Sequence, residues 1–340
     1  MDLSVARVLS GLWHSGSLTF QIDRDMDLVE TLRRKINVLE DGEYVPGLKA
    51  VLLHIETAFR HLSRGQENAD DTAFTDAIYR TNQAFEGSIK EAYRVLAGQD
   101  PARKRPFDIE NYLEQNNVFR ARVLSQLTNY RTEWRNPSAH DYKLDFDENE
   151  AFLAIVSVSA FSCLLLDQIA ERLSFVRAQA EAEAQQAVLK AKLEGSQRGD
   201  LLDRAVALLD QFCALHVPAS DGPPRESESQ LIGALHGFLA SAAPDLQVRT
   251  EVRLDQQRPF RADVLISNGD EHVVVELKRA FSRKNYENAV AQVEHYLLVG
   301  GMSRGILLFL PDGPAAMEKN ETSVRSIGGR LIVMKPAAAS

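Results

Sequence analysis

Residues 271–280 read EHVVVELKRA. The run of valines marks a buried strand, yet it ends in a carboxylate and an ammonium, Glu276 and Lys278, two residues apart. Strand side chains alternate between faces, so these two point the same way. Burying a charge is costly unless it is paired or has a task. One reading is an ion pair at a strand end. The other is a metal site, because Asp263 in RADVLI lies 13 positions upstream of Glu276, with the turn NGDE between them. A hairpin folded at that turn brings the two carboxylates together. Two such acids repel, and a divalent cation between them removes the repulsion. Mg²⁺ or Mn²⁺ suits the pair, since Mg²⁺ takes few carboxylates and leaves positions for water and phosphate oxygens. The chemistry is phosphodiester hydrolysis, with a metal-bound water as nucleophile. Lys278 would orient or deprotonate that water, or neutralise charge developing on the phosphate.

The elements around this hairpin are legible in the pattern. A helix is expected over 228–242, strands over 247–254, 259–267 and 272–279, a helix over 284–300, and strands over 304–310 and 330–335. The order is α-β-β-β-α-β-β, an α/β mixed sheet.

Asp263, a spacer, then Glu276-x-Lys278 on a hairpin resembles the PD-(D/E)xK nuclease superfamily, restriction-endonuclease-like in fold, whose core runs α-β-β-β-α-β. The resemblance covers roughly 225–335. It implies Asp263 and Glu276 as metal ligands and Glu228, on the helix before the sheet, as an additional metal-binding acid. Without the resemblance, Glu228 reads as an acid favoured by a helix N-terminus. Gln292 and Tyr296 in AQVEHY are similar to the Gln-x-x-x-Tyr element of the RecB-like subgroup; packing is the alternative. The Pro that names the motif is absent, with Ala262 before Asp263. Arg279, Arg283 and Lys284, beside Lys278, would supply a nucleic-acid-binding patch. Asp141-Tyr142-Lys143 has the same local form but falls outside any expected strand.

The first two hundred residues differ. Apolar residues recur at helical spacing over 25–40, 46–64, 71–97, 108–134 and 148–175, with breaks at Pro46, 65–71, 98–106 and 135–142. This is an all-α bundle. The segment 178–194, rich in Ala, Gln, Glu and Lys, reads as an exposed helical spacer. A short helix over 200–215 and a Pro/Ser/Gly-rich linker over 216–229 follow. The domains expected are 1–195, a helical bundle ending in the spacer; 196–222, a connector; and 223–340, the sheet domain. The first 25 residues, with Trp13 and His14, carry no assignable pattern.

In the break RNPSAH, Arg135 is a permanent cation, Asn136 a donor to phosphoryl oxygens, and His140 a base near neutral pH. A plain turn built on Pro137 is the alternative. Arg-Asn-x-x-x-His in an acidic helical bundle resembles the HEPN superfamily, with its Arg-x4–6-His motif, over roughly residues 1–190. That resemblance implies a homodimer through the bundle and either metal-independent RNA cleavage or a non-catalytic role. For cleavage, His140 would take the 2′-OH proton and Arg135 would stabilise the transition state.

Composition sets the outer bounds. The formal net charge is −9, but residues 223–340 hold 14 basic and 14 acidic side chains, so the acidic excess lies N-terminal to them. A neutral domain can still carry a local basic patch. Two cysteines without metal or CxxC spacing suggest a reducing cytosol. The longest apolar stretch, 151–166, is shorter than the ~20 residues a bilayer requires, so no membrane partner is expected. The whole reads as a cytoplasmic nuclease acting on nucleic acid, DNA favoured and RNA possible, of a type suited to prokaryotic defence against phage or plasmids. A HEPN ribonuclease with a nucleic-acid-binding C-terminal domain, or a non-catalytic assembly protein, are the alternatives.

Overall fold

A computed structural model of the chain describes residues 28–39, 41–140, 144–193, 199–215, 226–255, 260–279, 283–311, 316–324 and 328–337. The side chains of His140, Arg283 and Lys284, and the whole of Asp141–Lys143, Trp13 and His14, lie outside the described residues.

Helical periodicity produces helices through residue 215. They are α1 (Leu28–Asn37), α2 (Val45–Asn68), α3 (Thr72–Leu96), α4 (Pro106–Gln115), α5 (Ala121–Tyr130), α6 (Asn136–His140), α7 (Glu148–Ala184), α8 (Gln186–Leu193) and α9 (Leu201–Leu215). Pro46 and Pro106 stand in first turns, where a missing N–H costs nothing. A capping box starts α7: Asp147 accepts from the Glu150 N–H, and Glu150 accepts from that of Asp147. The bundle packs around α7, whose Ile155, Val158, Phe161, Leu165 and Ile169 are buried at helical spacing. Phe85 stacks on Tyr130 at 4.7 Å and lies 5.4 Å from Phe161. Among the described residues α7 is the one helix long and apolar enough to cross a membrane; here it packs against α1, α2, α3 and α5.

The break expected over 135–142 is helical as far as His140. Residues Arg131–Arg135 form a π turn that closes with the Asn136 N–H donating to Arg131 O, and α6 continues from it. Proline in a regular α-helix sets its ring against the carbonyl four residues back. The wider turn ahead of Pro137 relieves that clash without ending the helix.

The C-terminal region is a six-stranded mixed sheet: β1 (Gln247–Arg253), β2 (Arg261–Asn268), β3 (Glu271–Lys278), β4 (Arg304–Phe309), β5 (Met317–Val324) and β6 (Gly329–Pro336), in the order β1-β2-β3-β4-β6-β5. β1, β2 and β3 are antiparallel, and Gly269 (φ +58°) serves the β2–β3 turn. β3 and β4 are parallel and need a crossover, which α11 (Arg283–Gly300) provides. The sequence order α-β-β-β-α-β therefore stands, led by α10 (Glu228–Ala242). β5 has no apolar alternation and was not anticipated; it is a polar edge strand paired with β6.

One sheet face packs Val264, Val275 and Ile306 against α9 and α10 through Leu208, Phe212 and Leu235. The other packs Leu265, Val274 and Leu307 against Val293 and Leu297 of α11. The segment expected as an exposed helical spacer is helical and exposed at most positions, and touches the first of these cores through Ala178, Ala182, Leu189 and Leu193. Small residues let α7 and α10 meet closely. A Cβ on Gly233 would fall 2.1 Å from the Glu171 carbonyl oxygen, and one on Gly237 2.2 Å from that of Phe175.

Candidate metal centre

The β2–β3 register sets the site. One rung beyond the Val264–Val275 pair, Asp263 and Glu276 come side by side. Alternation turns both toward the α11 face. Asp263 Oδ2 accepts the Leu277 N–H at 2.7 Å, which pins that carboxylate to the neighbouring strand. Glu276 Oε1 accepts from Lys278 Nζ at 2.7 Å and from Gln292 Nε2 at 2.9 Å. Gln292 Nε2 also donates to Tyr296 Oη at 2.7 Å. Helical spacing places Gln292 and Tyr296 one turn apart on α11, so both reach the strand end together.

Glu276 is 2% exposed, and its Oε2 is buried with no hydrogen-bond partner among the described residues, though the Asp263 backbone N–H lies close enough to favour the charged carboxylate. Such an orphan acceptor is rare in a folded protein. A buried carboxylate oxygen of this kind is a donor that a divalent cation could take, and Glu171 Oε2 in the bundle shares its unpartnered state. Electrostatics agree. Burial raises Asp263 well above the usual carboxylate range, with the Glu276 charge adding to the rise; the Leu277 N–H opposes it. Burial raises Glu276 likewise, against the opposing hydrogen bond and charge of Lys278. Burial alone would lower Lys278, but its hydrogen bond and attraction to Glu276 outweigh that, and the ammonium is held above its ordinary value. The donor set is hard oxygen with a nearby cation, and it fits Mg²⁺ or Mn²⁺.

Asp263, Glu276, Lys278, Gln292 and Tyr296 are thus brought together. Glu228 is not drawn in with them as a third ligand. It is exposed in the first turn of α10, behind a Ser227–Gln230 capping box, and its charge reaches Asp263 and Glu276 from there. Among the described residues no three His, Cys, Asp or Glu side chains gather as a cage. Lys278 turns onto Glu276 rather than into a surface patch, while Arg279 is exposed.

In the bundle, Arg135 Nη1 donates to Asn136 Oδ1 at 3.2 Å, and its Nη2 lies 3.7 Å from Glu86 Oε1. Arg135 lines an open groove of about 610 Å³ between α3, α2 and α6. His140 ends α6, so its backbone lies one turn beyond Asn136.

Sequence reasoning missed a buried polar network beside the centre. Arg120 pairs with buried Glu171 of α7, with Glu251 of β1 at 3.1 Å, and donates to Thr250 Oγ1 at 2.8 Å. Thr250 in turn donates to Glu171 Oε1 at 2.9 Å. Glu251 has φ +47° and lies between the rungs Thr250–Val264 and Val252–Ala262, next to Asp263. Pairings over more than 50 residues leave no local signal; only the backbone position of Glu251 marks the place. No protein-family model, curated protein or solved structure matches the chain.

Proposed function

We propose that the chain is a divalent-metal-dependent nuclease of PD-(D/E)xK, restriction-endonuclease-like type, hydrolysing phosphodiester bonds with DNA as the favoured substrate. The single observation that carries this is Glu276: a buried carboxylate beside a second carboxylate, with one oxygen tied to Lys278 and Gln292 and the other unpartnered among the described residues. Asp263 and Glu276 would hold Mg²⁺ or Mn²⁺, which when bound supplies an acidified water and neutralises charge on the phosphate. Gln292, itself bonded to Tyr296, holds Glu276 Oε1 and would leave Oε2 for the cation. Leu277 does the same for Asp263 through its backbone N–H. Lys278 keeps its proton and offers a fixed positive charge to the attacking water or to the phosphate oxygen that gains charge. Glu228 adds negative potential that favours a cation. Arg279, with Arg283 and Lys284 next in sequence, is suited to the nucleic-acid backbone.

A second reading is favoured by Arg135 facing an open groove. In it, the bundle is a HEPN-like ribonuclease in which His140 accepts the 2′-OH proton, Arg135 and Asn136 hold the phosphate, and homodimerisation pairs two such sites. Either reading is consistent with a cytoplasmic role in prokaryotic defence, a suggestion made by analogy of fold and site. The test is cleavage of labelled duplex DNA, single-stranded DNA and RNA, in Mg²⁺ and in EDTA, by wild type, Glu276→Ala and His140→Ala. Metal-dependent DNA cutting lost only in Glu276→Ala supports the nuclease centre. RNA cutting that survives EDTA and is lost in His140→Ala moves the activity to the bundle.

A further inference from the structure

The network around Arg120 meets the metal centre at one backbone position. Glu251 of β1 has φ +47°, and of the three non-glycine residues with positive φ among those described it alone lies inside a strand. Ala69 and Asn117 follow helices α2 and α4. A side chain in that left-handed region crowds its own backbone, so the conformation has to be held from outside. The register of β1 on β2 is unbroken across it: Thr250 pairs with Val264 and Val252 with Ala262, which leaves Glu251 opposite Asp263. Faces change at that rung. Val248 packs with the α9–α10 core, but Val252, four residues on and so due on the same face, packs with the α11 core. Val264 and Ala262, either side of Asp263, divide between the two cores in the same way. The backbone that aims the Asp263 carboxyl is therefore the backbone of a kink.

Arg120, which precedes α5, holds that kink from the bundle. Its Nη1 lies 3.1 Å from Glu251 Oε2, while its Nη2 pairs with buried Glu171 of α7 and donates to Thr250 Oγ1 at 2.8 Å. Arg261 Nη1, at 3.7 Å from the same Glu251 oxygen, is the weaker partner. The Arg120 backbone is itself tied to α7: its N–H donates to Gln168 Oε1 at 3.3 Å, and Gln168 Nε2 donates to Val118 O at 2.7 Å. We infer that Arg120 is a positioning residue for the metal centre: through Glu251 it holds the kink that turns the Asp263 carboxyl onto the Leu277 N–H and toward the cation. The part that concerns the cation rests on the nuclease reading above. The part that concerns Asp263 does not, because its 2.7 Å bond to Leu277 belongs to the protein alone.

Two variants of Glu251 separate the kink from the carboxylate. Glu251→Val removes both, since a β-branched residue is excluded from the left-handed region, whereas glycine adopts it freely. Hydrogen exchange of the Leu277 amide is followed by NMR on the full chain in EDTA. Glu251→Val and Arg120→Ala are each expected to speed it about tenfold, through loss of the bond to Asp263, while the β4 and β6 amides keep their protection. Arg120→Ala/Glu251→Gly is expected to return Leu277 to within about twofold of wild type, because the kink then needs no clamp. A guanidinium that merely braced α7 against β1 would not be replaced by a glycine. Calorimetric titration with Mn²⁺ then reads the same variants: affinity about tenfold weaker in Glu251→Val and Arg120→Ala, and restored in the double variant. Wild-type Mn²⁺ binding that Glu276→Gln leaves unchanged strikes the nuclease reading, and the Leu277 amide still decides the positioning of Asp263. Should Arg120→Ala not fold, because Glu171 is left buried without its partner, Glu251→Val against Glu251→Gly decides. An unchanged Leu277 amide in Glu251→Val, failure of glycine to restore it, or Mn²⁺ affinity intact where Leu277 is altered overturns the inference.

Discussion

Asp263→Asn should stabilise the metal-free protein while abolishing its response to metal. Folding raises the Asp263 carboxyl through burial and through Glu276 beside it. A carboxyl raised on folding imposes no penalty below its unfolded value near ~4; the penalty grows as pH rises toward the folded value and is full above it. Each unit of that rise costs about 1.4 kcal/mol once reached. Asparagine removes the ionisation and the repulsion, and its amide oxygen can still accept the Leu277 N–H that Asp263 holds at 2.7 Å. The amide fits and accepts less well than the carboxyl, at a cost of roughly 1 kcal/mol. A rise of about two units already exceeds that loss. The net gain expected near pH 7.5 is thus about 1–3 kcal/mol, vanishing near pH 4. The assay is urea or thermal unfolding in EDTA across that pH range, then again with Mn²⁺. Wild type should gain about 2.7 kcal/mol at a hundredfold excess of Mn²⁺ over its Kd, and Asp263→Asn nothing. A variant less stable than wild type at pH 7.5 in EDTA would refute the reasoning, since the carboxylate would then be a structural acceptor.

Lys278→Ala should lower the cleavage rate by about a hundredfold or more yet keep the Mn²⁺-induced stabilisation, because its ammonium serves the reaction and the Glu276 charge, not the cation; single-turnover cleavage and melting curves separate the two. Gln292→Ala should cut kcat about tenfold with little change in KM, since it frees the Glu276 carboxylate to rotate; steady-state kinetics on a labelled duplex checks this. Mn²⁺ affinity, followed by calorimetry, should fall steeply as pH drops below the raised values of Asp263 and Glu276, because both protons compete with the cation. Gly233→Ala should cost about 1–3 kcal/mol in denaturant unfolding, because its Cβ would fall 2.1 Å from a backbone oxygen that α7 cannot withdraw.

Much of the sheet domain was legible because its period is short and its faces are sharply divided. VVV in β3 and VLI in β2 announce buried strands, and the Gly269 turn sets the register that pairs Asp263 with Glu276. Gln292 and Tyr296 were within reach for the same reason: one helical turn is a local fact. What escaped depended on partners distant in sequence. The Ala-rich end of α7 reads as exposed, and at most positions it is; the alanines it buries escaped, because alanine buries well only where another helix comes close, and that helix carries Gly233 and Gly237 some fifty residues on. β5 is polar because it lies at a sheet edge, so no alternation marks it. RNPSAH looked like a turn because proline usually ends helices; a π turn absorbed it instead. Glu228, expected as a further ligand, stands exposed in the first turn of α10, from where its charge reaches Asp263, Glu276 and Lys278.

The central claim is that Asp263 and Glu276 hold a divalent cation that cuts a phosphodiester bond. Its most direct test is the single-turnover cleavage rate of end-labelled DNA as a function of Mn²⁺ concentration, for wild type and Glu276→Gln side by side. The account predicts no cutting in EDTA, a rate that saturates with Mn²⁺ in wild type, and a flat baseline in Glu276→Gln. Cutting by wild type in EDTA, or a Glu276→Gln rate equal to wild type at saturating Mn²⁺, would contradict it.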